Sequence, residues 1–316
     1  MTGTAGPVSR ASTPPPTSGM SRRSLVTSAR PAAGFVAAMA ILVVAWELAK
    51  WVAGDPWRFD SFLGTGIQVD HTPPFHLIQL SDINLPHIWD VVGAFGAVDA
   101  AGRTGFETLA GAALFTLRGA AVGFVLGSVF GLALAILLVH VRILERALVP
   151  LVVASQTIPI VALAPIIVVG LRAGWFGIAI VASYLTFFPV TIAAIRGLRA
   201  ADPRAFELMR SYAADSRSIL LNIRIPASYP YLFTAFKIAA TASIVGAIVG
   251  ELPSGFREGL GGSILLAMQY YTLSPADLWA TVIVAAALGV LAFVAVLLVE
   301  RFALRNQRPA ELQGDA

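Results

Sequence analysis

The sequence contains no cysteine among its 316 residues. Disulfide frameworks and thiolate-rich metal sites are therefore excluded. Histidine is also scarce: the four histidines, His71, His76, His87 and His140, show no metal-ligand spacing and lie near no cluster of carboxylates. No nucleophile–base arrangement stands out either. We therefore expect a protein that is not an enzyme and that binds neither a metal nor a cofactor itself.

Charged residues are rare as well. They make up 13% of the chain, against 57% hydrophobic residues, and the mean hydropathy is +0.78. A soluble domain has about twice this charged fraction. Six apolar runs approach or exceed the roughly 20 residues that cross a hydrocarbon core. They lie near 33–53, 110–139, 147–170, 175–195, 230–250 and 277–300. The sequence therefore predicts an all-α membrane protein with about six transmembrane helices, the third interrupted by Pro159 and Pro165.

The composition divides the chain into four parts. Residues 1–30 are rich in Pro, Ser, Thr and Arg without an apolar period, which predicts a disordered tail. Residues 31–104 hold the first span and a connection on the outer side. This first apolar run lacks a clear cleavage pattern, so we expect a retained span rather than a signal peptide. Residues 105–303 form the core domain, and 304–316 form a second tail.

Lysine and arginine are distributed unequally between the connections. Of the 22 such residues, fifteen lie in the two tails and in the connections that follow the second and fourth spans. The opposite connections hold four, namely Arg58, Arg103, Arg172 and Arg257. Because basic residues accumulate on the cytoplasmic side of a membrane, both termini are predicted to be cytoplasmic. The basic residues behind the net charge of +4 are thus explained by the orientation of the chain in the membrane. Nucleic-acid binding is therefore not expected.

Lysine itself is nearly absent, with only Lys50 and Lys237 in the chain. A P-loop needs Gly-x4-Gly-Lys-Ser/Thr, because backbone N–H groups and a lysine hold the phosphates there. Neither lysine follows a glycine. The chain is therefore not its own ATPase, and any energy from ATP must come through another protein.

A polar segment, residues 200–226, separates the fourth and fifth spans. Asp202 and Pro203 predict a helix start, because Asp caps free N–H groups and Pro suits the first helical position. A narrow apolar stripe at helical spacing follows. Its members are Phe206, Met209 and Ala213.

A second short helix is predicted directly after this one. Asp215 or Ser216 can cap it, and Pro226 and Pro230 are expected to end the unit and start the fifth span. Two interpretations of the helix pair stay open on these grounds. It is either a loop packed on its own bundle or a docking element for a soluble partner.

The spacing within the segment resembles a family motif. It reads "ELM" from Glu207, reaches Ala213 after three further residues, and ends "IRIP" at Pro226 after nine more. This is similar to the EAA motif of ABC importer permeases, which is Glu-Ala-Ala, three residues, Gly, nine residues, Ile-x-Leu-Pro. Alanine replaces the family glycine at position 213. A left-handed bend there would cost about 1 kcal/mol more than with glycine, so the bend is expected nearer Asp215.

The resemblance extends over roughly residues 105–303. The stretches "TLRGAAVGFVLGSVFGLALAI", "IPIVALAPIIVVGL", "FFPVTIAAIRGLRAADP" and "GEL…GLGGSI" look like the nitrate/sulfonate/taurine branch of these permeases. The resemblance implies a type I ABC importer permease fold in the bacterial cytoplasmic (inner) membrane. It implies a second permease subunit, identical or not, an extracytoplasmic solute-binding protein, and a cytoplasmic ATPase dimer that binds ATP and Mg. In the family the motif forms the coupling helix, which docks on the ATPase. The docking residues implied here are Phe206, Glu207, Met209, Arg210, Tyr212, Ala213, Asp215, Ile223 and Pro226.

Polar side chains within the spans are candidates for the translocation path, since unsatisfied polar groups are costly at that depth. They are Ser155, Gln156, Thr157, Pro159 with its freed carbonyls, Ser183, Tyr184, Thr234, Thr241, Ser243 and Glu251. Hydrogen bonding between helices is the alternative for most of them. For Glu251 the alternative is a solvated charge at the end of a span.

Three further features have two interpretations each. A stripe of glycines from Gly119 to Gly131 favours close packing within one subunit, with a subunit–subunit interface as the alternative. Lys237 is expected to snorkel to the membrane surface rather than to contact substrate. The whole chain could instead be an ion-coupled secondary transporter, but we detect no inverted repeat that such a protein would show.

The substrate class expected is a small polar solute, such as nitrate, a sulfonate, taurine or a nitrogen heterocycle. Of these, a nitrogen heterocycle is favoured.

Overall fold

The computed structural model describes residues 23–59, 69–99, 101–172 and 174–304. The chain divides into two compact units, Met1–Leu80 and Ser81–Ala316. In the first unit, helix α1 (Arg23–Ala53) leads to a small antiparallel pair, β1 (Trp57–Phe59) and β2 (Val69–His71), with Trp57 opposite His71. A 3₁₀ turn, Ile78–Leu80, ends the unit.

Helix α1 differs from the sequence-based prediction at its start. The composition of residues 23–30 predicts a disordered tail, but these residues are helical. They contain neither glycine nor proline, and a helix already formed by the apolar run extends at low cost. The rest of the predicted tail, residues 1–22, and the C-terminal tail from 305 onwards lie outside the described residues. So do the side chains of residues 23–33, 35 and 36, within and before the first predicted span.

The described part of the second unit is mainly helical, with an isolated β-bridge between Val98 and Thr104. Its helices are α2 (Ile88–Gly96), α3 (Gly105–His140), α4 (Arg142–Ser155), α5 (Ile160–Pro165), α6 (Trp175–Arg199), α7 (Pro203–Ser211), α8 (Ser216–Ile219), α9 (Ile225–Glu251), α10 (Leu260–Gln269) and α11 (Pro275–Ala303). Two π-helical turns, Ile166–Gly170 and Leu220–Arg224, continue α5 and α8.

Among the described residues, four helices are long and apolar enough to cross a membrane: α3, α6, the continuous stretch Ser216–Glu251, and α11. They coincide with the second, fourth, fifth and sixth predicted spans. The third predicted span is α4 followed by α5 and its π turn, bent by 91° between them. The break falls at Pro159, as predicted, whereas Pro165 lies within the last turn of α5.

Small residues hold α3, α6 and α9 together. A Cβ atom added to Gly123 would lie 2.4 Å from the Cβ of Ala182, and one added to Gly127 would lie 2.6 Å from the Ser183 carbonyl oxygen. Gly246 of α9 meets the other side of Ala182 just as closely, at 2.7 Å from its Cα. The backbones therefore approach as they do in small-xxx-small packing of membrane helices. The glycine stripe of α3 packs within the subunit, which confirms the preferred interpretation.

Helices α2 and α10, which no span prediction contained, complete the second unit. Val91 of α2 packs with Leu109 of α3 and Ala280 of α11. Leu260, at the start of α10, is fully buried in the central cluster. The N-terminus of α3 is closed by a capping box between Thr104 and Glu107.

Candidate functional site

Helix α7 begins as the sequence predicts. The Asp202 side chain accepts a hydrogen bond from the backbone N–H of Arg204 at 2.8 Å, and Pro203 occupies the first helical position. None of the residues of α7 is buried. The helix is therefore an exposed element between the ends of two spans, with its start fixed by its own sequence.

The apolar stripe of α7 is turned partly towards the rest of the molecule. Phe206 and Met209 are half-buried, and the Arg224 guanidinium lies over the Phe206 ring at 5.3 Å from its centroid. The outward surface of the segment is formed instead by Glu207, by Leu208, and by Tyr212, which is 76% exposed. A partner that meets this segment would therefore meet a mixed acidic, aliphatic and aromatic surface.

The bend after α7 lies at Ala213, not nearer Asp215 as predicted. Ala213 has a φ of 50°. Its N–H donates to the Arg210 carbonyl and the N–H of Ala214 donates to the Met209 carbonyl, both at 3.0 Å. This pair is the Schellman motif, which satisfies carbonyls at a helix C-terminus. Each hydrogen bond is worth about 1 kcal/mol, so together they offset the left-handed conformation of an alanine.

Asp215, rather than Ser216, caps the next helix. Its carboxylate accepts from the backbone N–H of Ser218 at 3.1 Å. Hydrogen bonds from Ser218 hold the pKa of this exposed carboxyl below its usual value. The two caps, at Asp202 and Asp215, therefore enclose α7 and its bend as one defined unit.

The prolines do not separate this unit from the following span. Helix α8 continues through the π turn Leu220–Arg224 into α9, so that Ser216–Glu251 is one helix. Ile223 lies in the π turn and Pro226 in the first turn of α9. Proline lacks an N–H and crowds the carbonyl four residues earlier, and the wider π turn provides the room for it.

The predicted path residues fall into separate groups. Ser155, Gln156, Thr157 and Pro159 lie at the break between α4 and α5, and the Tyr184 hydroxyl of α6 donates to the Ser155 carbonyl there. Ser183 precedes Tyr184 on α6 and is half-buried. The structure therefore brings the break together with the middle of α6.

The hydroxyls of α9 bond to their own helix. Thr234 donates to the Pro230 carbonyl at 2.9 Å, Thr241 to Ile238 and Ser243 to Ala240, both at 2.8 Å. Thr234 lines a groove of about 450 Å³ between α6 and α9, whereas Ser243 is buried. Of the three, Thr234 is the one open to a solute in this groove.

Glu251 is fully buried, so it is not the solvated charge that one interpretation proposed. Its Oε2 accepts from the Thr116 hydroxyl at 3.0 Å and from the backbone N–H of Gly261 at 2.7 Å. The N–H of Leu260 in turn donates to the Thr116 hydroxyl at 2.9 Å. The two side chains thus occupy the N-terminus of α10 and connect it to α3 and α9. We call this arrangement the Glu251 clasp.

Lys237 forms an ion pair instead of snorkelling. Its Nζ lies 2.8 Å from the Glu300 Oε2 of α11, and the two side chains are 17% and 18% exposed. A charge within the bundle is less costly when paired than when alone. The pair therefore fixes α9 against α11.

The sequence profile of the family of binding-protein-dependent transport system inner membrane components matches residues 127–308, more than half of the chain. The chain belongs to this family. The predicted fold class, that of type I ABC importer permeases, is thereby confirmed, and the EAA motif and coupling helix are features of the family. The permease is a transport protein of the membrane and not an enzyme.

Individual relatives carry several transport names. The permease is 34% identical over 194 residues to the formylaminopyrimidine transport permease protein ThiX of Halalkalibacterium halodurans, covering 60% of this chain and 74% of the relative. It is 30% identical over 245 residues to the riboflavin transport system permease protein RibX of Chloroflexus aurantiacus, covering 78% and 80%. It is 28% identical over 236 residues to the putative aliphatic sulfonates transport permease protein SsuC of Bacillus subtilis, covering 69% and 83%. The branch named from the sequence is thus confirmed.

The sequence did not predict the roles of Thr116 and α10. Thr116 appeared only as one residue of an apolar run, and α10 is too short for a span. The signal that could have found them is the density of glycines at 259, 261 and 262. A Cβ at Gly259 would lie 2.4 Å from the Glu251 carboxyl carbon, so this approach needs glycine.

Proposed function

We propose that this permease is the transmembrane subunit of an ATP-driven, binding-protein-dependent importer, and that α7 with the bend at Ala213 docks on its ATPase. The observation that carries the proposal is the exposed, doubly capped helix between the ends of two spans. The caps stabilise both ends of this short helix, and the absence of buried residues leaves its surface accessible to a partner. The outward Glu207, Leu208 and Tyr212 supply the contact surface.

Movement of α7 would pass into the membrane through two connections. The π turn joins the segment to α9 without a break, and Arg224 over Phe206 ties α7 to the same helix. In the proposed cycle, ATP and Mg bind the two ATPase subunits, whose closure draws the coupling helices of two permease subunits together. The chain itself contributes no bond-breaking step. It transmits the movement and forms half of the path.

We place the path beside the break between α4 and α5. Ser155, Gln156 and Thr157 there have polar atoms at a depth where irregular backbone is tolerated only in protein or beside water. Tyr184 holds the break to α6. A solute-binding protein would deliver the substrate from the outer side. The same proposal places both termini in the cytoplasm of a bacterial cell.

The substrate we propose is a small nitrogen heterocycle. Two of the similar permeases, named for formylaminopyrimidine and riboflavin, support this class over sulfonates and nitrate. Calorimetry on the solute-binding protein that works with this permease tests the class. Binding of a pyrimidine or flavin is expected, and binding of taurine or nitrate alone would reject it.

Pull-down of the ATPase tests the docking proposal. Glu207→Lys reverses a charge on the outward face, and Ala213→Asp places a carboxylate at the bend, where Asp tolerates the left-handed conformation. Exposed substitutions usually change stability by within about 0.5 kcal/mol, so both variants should insert normally. We expect each to lose most ATPase binding and ATP-driven uptake, because an unpartnered carboxylate or a reversed charge in a protein contact is costly.

The matched control is Glu258→Lys, the same charge reversal at an exposed residue of the connection between α9 and α10. It should bind the ATPase as the wild type does. Normal pull-down and uptake from both Glu207→Lys and Ala213→Asp would show that residues 200–226 are an ordinary loop.

A further inference from the structure

Arginine side chains converge at one end of the bundle, where α3, α4, α6, α7 and the π turn Leu220–Arg224 come together. Two adjoining cavities, of about 330 and 510 Å³, share Arg142, Glu145 and Arg199 as lining residues. Arg224 lines the smaller cavity and Arg146 the larger. We call the two cavities together the arginine cleft. It lies at the end that the basic-residue distribution places in the cytoplasm.

The positive charge of the arginine cleft is only partly balanced by protein groups. Glu145 is the one carboxylate in its lining, and it is hydrogen-bonded to Arg199. Within the described part of the chain, Arg142 and Arg146 have no hydrogen bond or ion pair from their side chains. Arg224 lies over the Phe206 ring, which leaves its charge without a carboxylate. Several guanidinium groups around one cavity repel one another, so an anion in the cleft would relieve that repulsion.

The shape of α4 indicates what kind of anion fits. Arg142 and Arg146 occupy one face of α4, and Val149 and Pro150 continue that face along the cleft. The neighbouring stripe is apolar and exposed: Ile143 is 82% and Leu151 63% exposed. At 14 residues, α4 is about 21 Å long, too short to cross a bilayer by itself. The two arginines lie in the first two turns of α4, and the apolar stripe runs from there towards the break, so that charge and apolar surface meet side by side at this end of the helix.

We propose that the arginine cleft binds the phosphate of an anionic phospholipid, whose acyl chains lie along the apolar stripe of α4. Guanidinium groups match the oxygens of a phosphate with paired hydrogen bonds. Basic pockets between membrane helices on the cytoplasmic side are known to hold such headgroups. The site goes beyond the proposed transport function, because its ligand is neither the substrate nor the ATPase, although Phe206 of α7 lines the smaller cavity.

Native mass spectrometry of the full-length permease in mild detergent tests the site. The probes are phosphatidylglycerol, which is anionic, and phosphatidylcholine, which is not. The wild type should retain phosphatidylglycerol in preference. Each arginine near a lipid phosphate is worth roughly a fivefold change in affinity, so Arg142→Gln with Arg146→Gln should weaken retention about 25-fold. Retention of phosphatidylcholine should not change.

Two further double variants separate a specific site from general charge. Arg142→Lys with Arg146→Lys keeps the charge but loses the paired guanidinium hydrogen bonds, so it should retain more phosphatidylglycerol than the glutamine variant and less than the wild type. It also shows that α4 tolerates substitution. Arg58→Gln with Arg257→Gln removes the same charge elsewhere and should bind phosphatidylglycerol as the wild type does. Equal elution on size exclusion confirms that all variants are folded.

Three results would overturn the proposal. The first is equal retention of both lipids by the wild type. The second is equal loss of phosphatidylglycerol from the glutamine variant and from the Arg58/Arg257 control. The third is binding of inorganic phosphate, without lipid, as tightly as phosphatidylglycerol, which would assign the arginine cleft to a soluble anion. Where the first result is found together with loss of ATPase binding by the glutamine variant in a separate pull-down, the arginine cleft is a protein contact. Since the lipid assay contains no ATPase, its outcome is independent of the docking proposal.

Discussion

At the scale of single residues, the conformation of Ala213 depends on hydrogen bonds that a sequence does not display. The steric cost of a Cβ in the left-handed region argued for a bend elsewhere. The Schellman pair to Met209 and Arg210 outweighs that cost. The C-terminus of α7 therefore keeps its bend at Ala213 even though this residue is not glycine.

The first prediction concerns this bend. Ala213→Val should weaken it, because a β-branched side chain is strongly disfavoured at positive φ. Ala213→Gly should preserve or strengthen it. A cost of about 1–2 kcal/mol corresponds to roughly tenfold faster local opening in the valine variant. Hydrogen–deuterium exchange of the peptide that contains the Ala214 amide measures this. Equal exchange in all three proteins would refute the account of the bend.

The Glu251 clasp is the second feature at this scale, and its glycine can be tested with it. Glu251→Ala leaves the Gly261 N–H without its partner, at an expected cost of about 2–4 kcal/mol in unfolding free energy. Gly259→Ala forces a methyl group against the Glu251 carboxyl carbon, at about 1–3 kcal/mol.

Because both effects meet at the same carboxyl group, the double variant should lose less than the sum of the two. Denaturant unfolding in detergent measures all four proteins. Strict additivity would mean that Gly259 and Glu251 do not contact each other.

At the scale of elements, α9 is the helix through which most connections pass. It packs on α3 and α6 through small residues, holds α10 through the Glu251 clasp, and is paired with α11 by Lys237 and Glu300. The long helices were predictable from hydropathy, since each has one strong apolar run. Neither the joining of α8 to α9 nor the position of α10 was predictable. Both depend on tertiary packing, which overrides the local signal of Pro226 and of a run only ten residues long.

The pair of α9 and α11 gives the third prediction. Lys237→Met leaves Glu300 half-buried and unpaired, and Glu300→Gln does the same to Lys237. Each of these two variants should lower the free energy of unfolding by about 2 kcal/mol. The combined variant should recover part of this loss, because neither charge is then left alone. Arg257→Met, an exposed cation of the outer connection, serves as the control and should have little effect. Full additivity of the two losses would show that the pair carries no coupling.

At the scale of the whole molecule, the candidate site was only partly predictable. Residues 200–226 could be singled out as the predicted docking segment because they are contiguous and their spacing resembles that of the EAA motif. The arrangement of path residues was not predictable, because Ser155 and Tyr184 are 29 positions apart and meet only in the folded bundle. The orientation of the chain across the membrane is predicted from the distribution of lysine and arginine alone, and it can be tested at positions along the entire chain.

The fourth prediction is this orientation. The absence of cysteine allows single cysteines to be read without background. A cysteine at Ser216 should react with a membrane-impermeant maleimide only after the cytoplasmic side is opened. A cysteine at Thr272, between α10 and α11, should react in intact cells. Reaction of the Ser216 variant in intact cells would invert the topology.

The 91° break between α4 and α5 also constrains how the permease is made. As a nascent chain leaves the ribosome, each half of this pair is too short to be accepted as a lone membrane segment, at about 21 Å for α4 and about 16 Å for α5 with its π turn. Its polar break would face lipid until a neighbour covers it. We therefore expect residues 142–170 to be held at the insertion machinery until α6 has emerged. The Tyr184 hydroxyl can then donate its hydrogen bond to the Ser155 carbonyl. Insertion of residues 142–170 would then depend on when α6 emerges from the ribosome and not on the hydrophobicity of these residues alone.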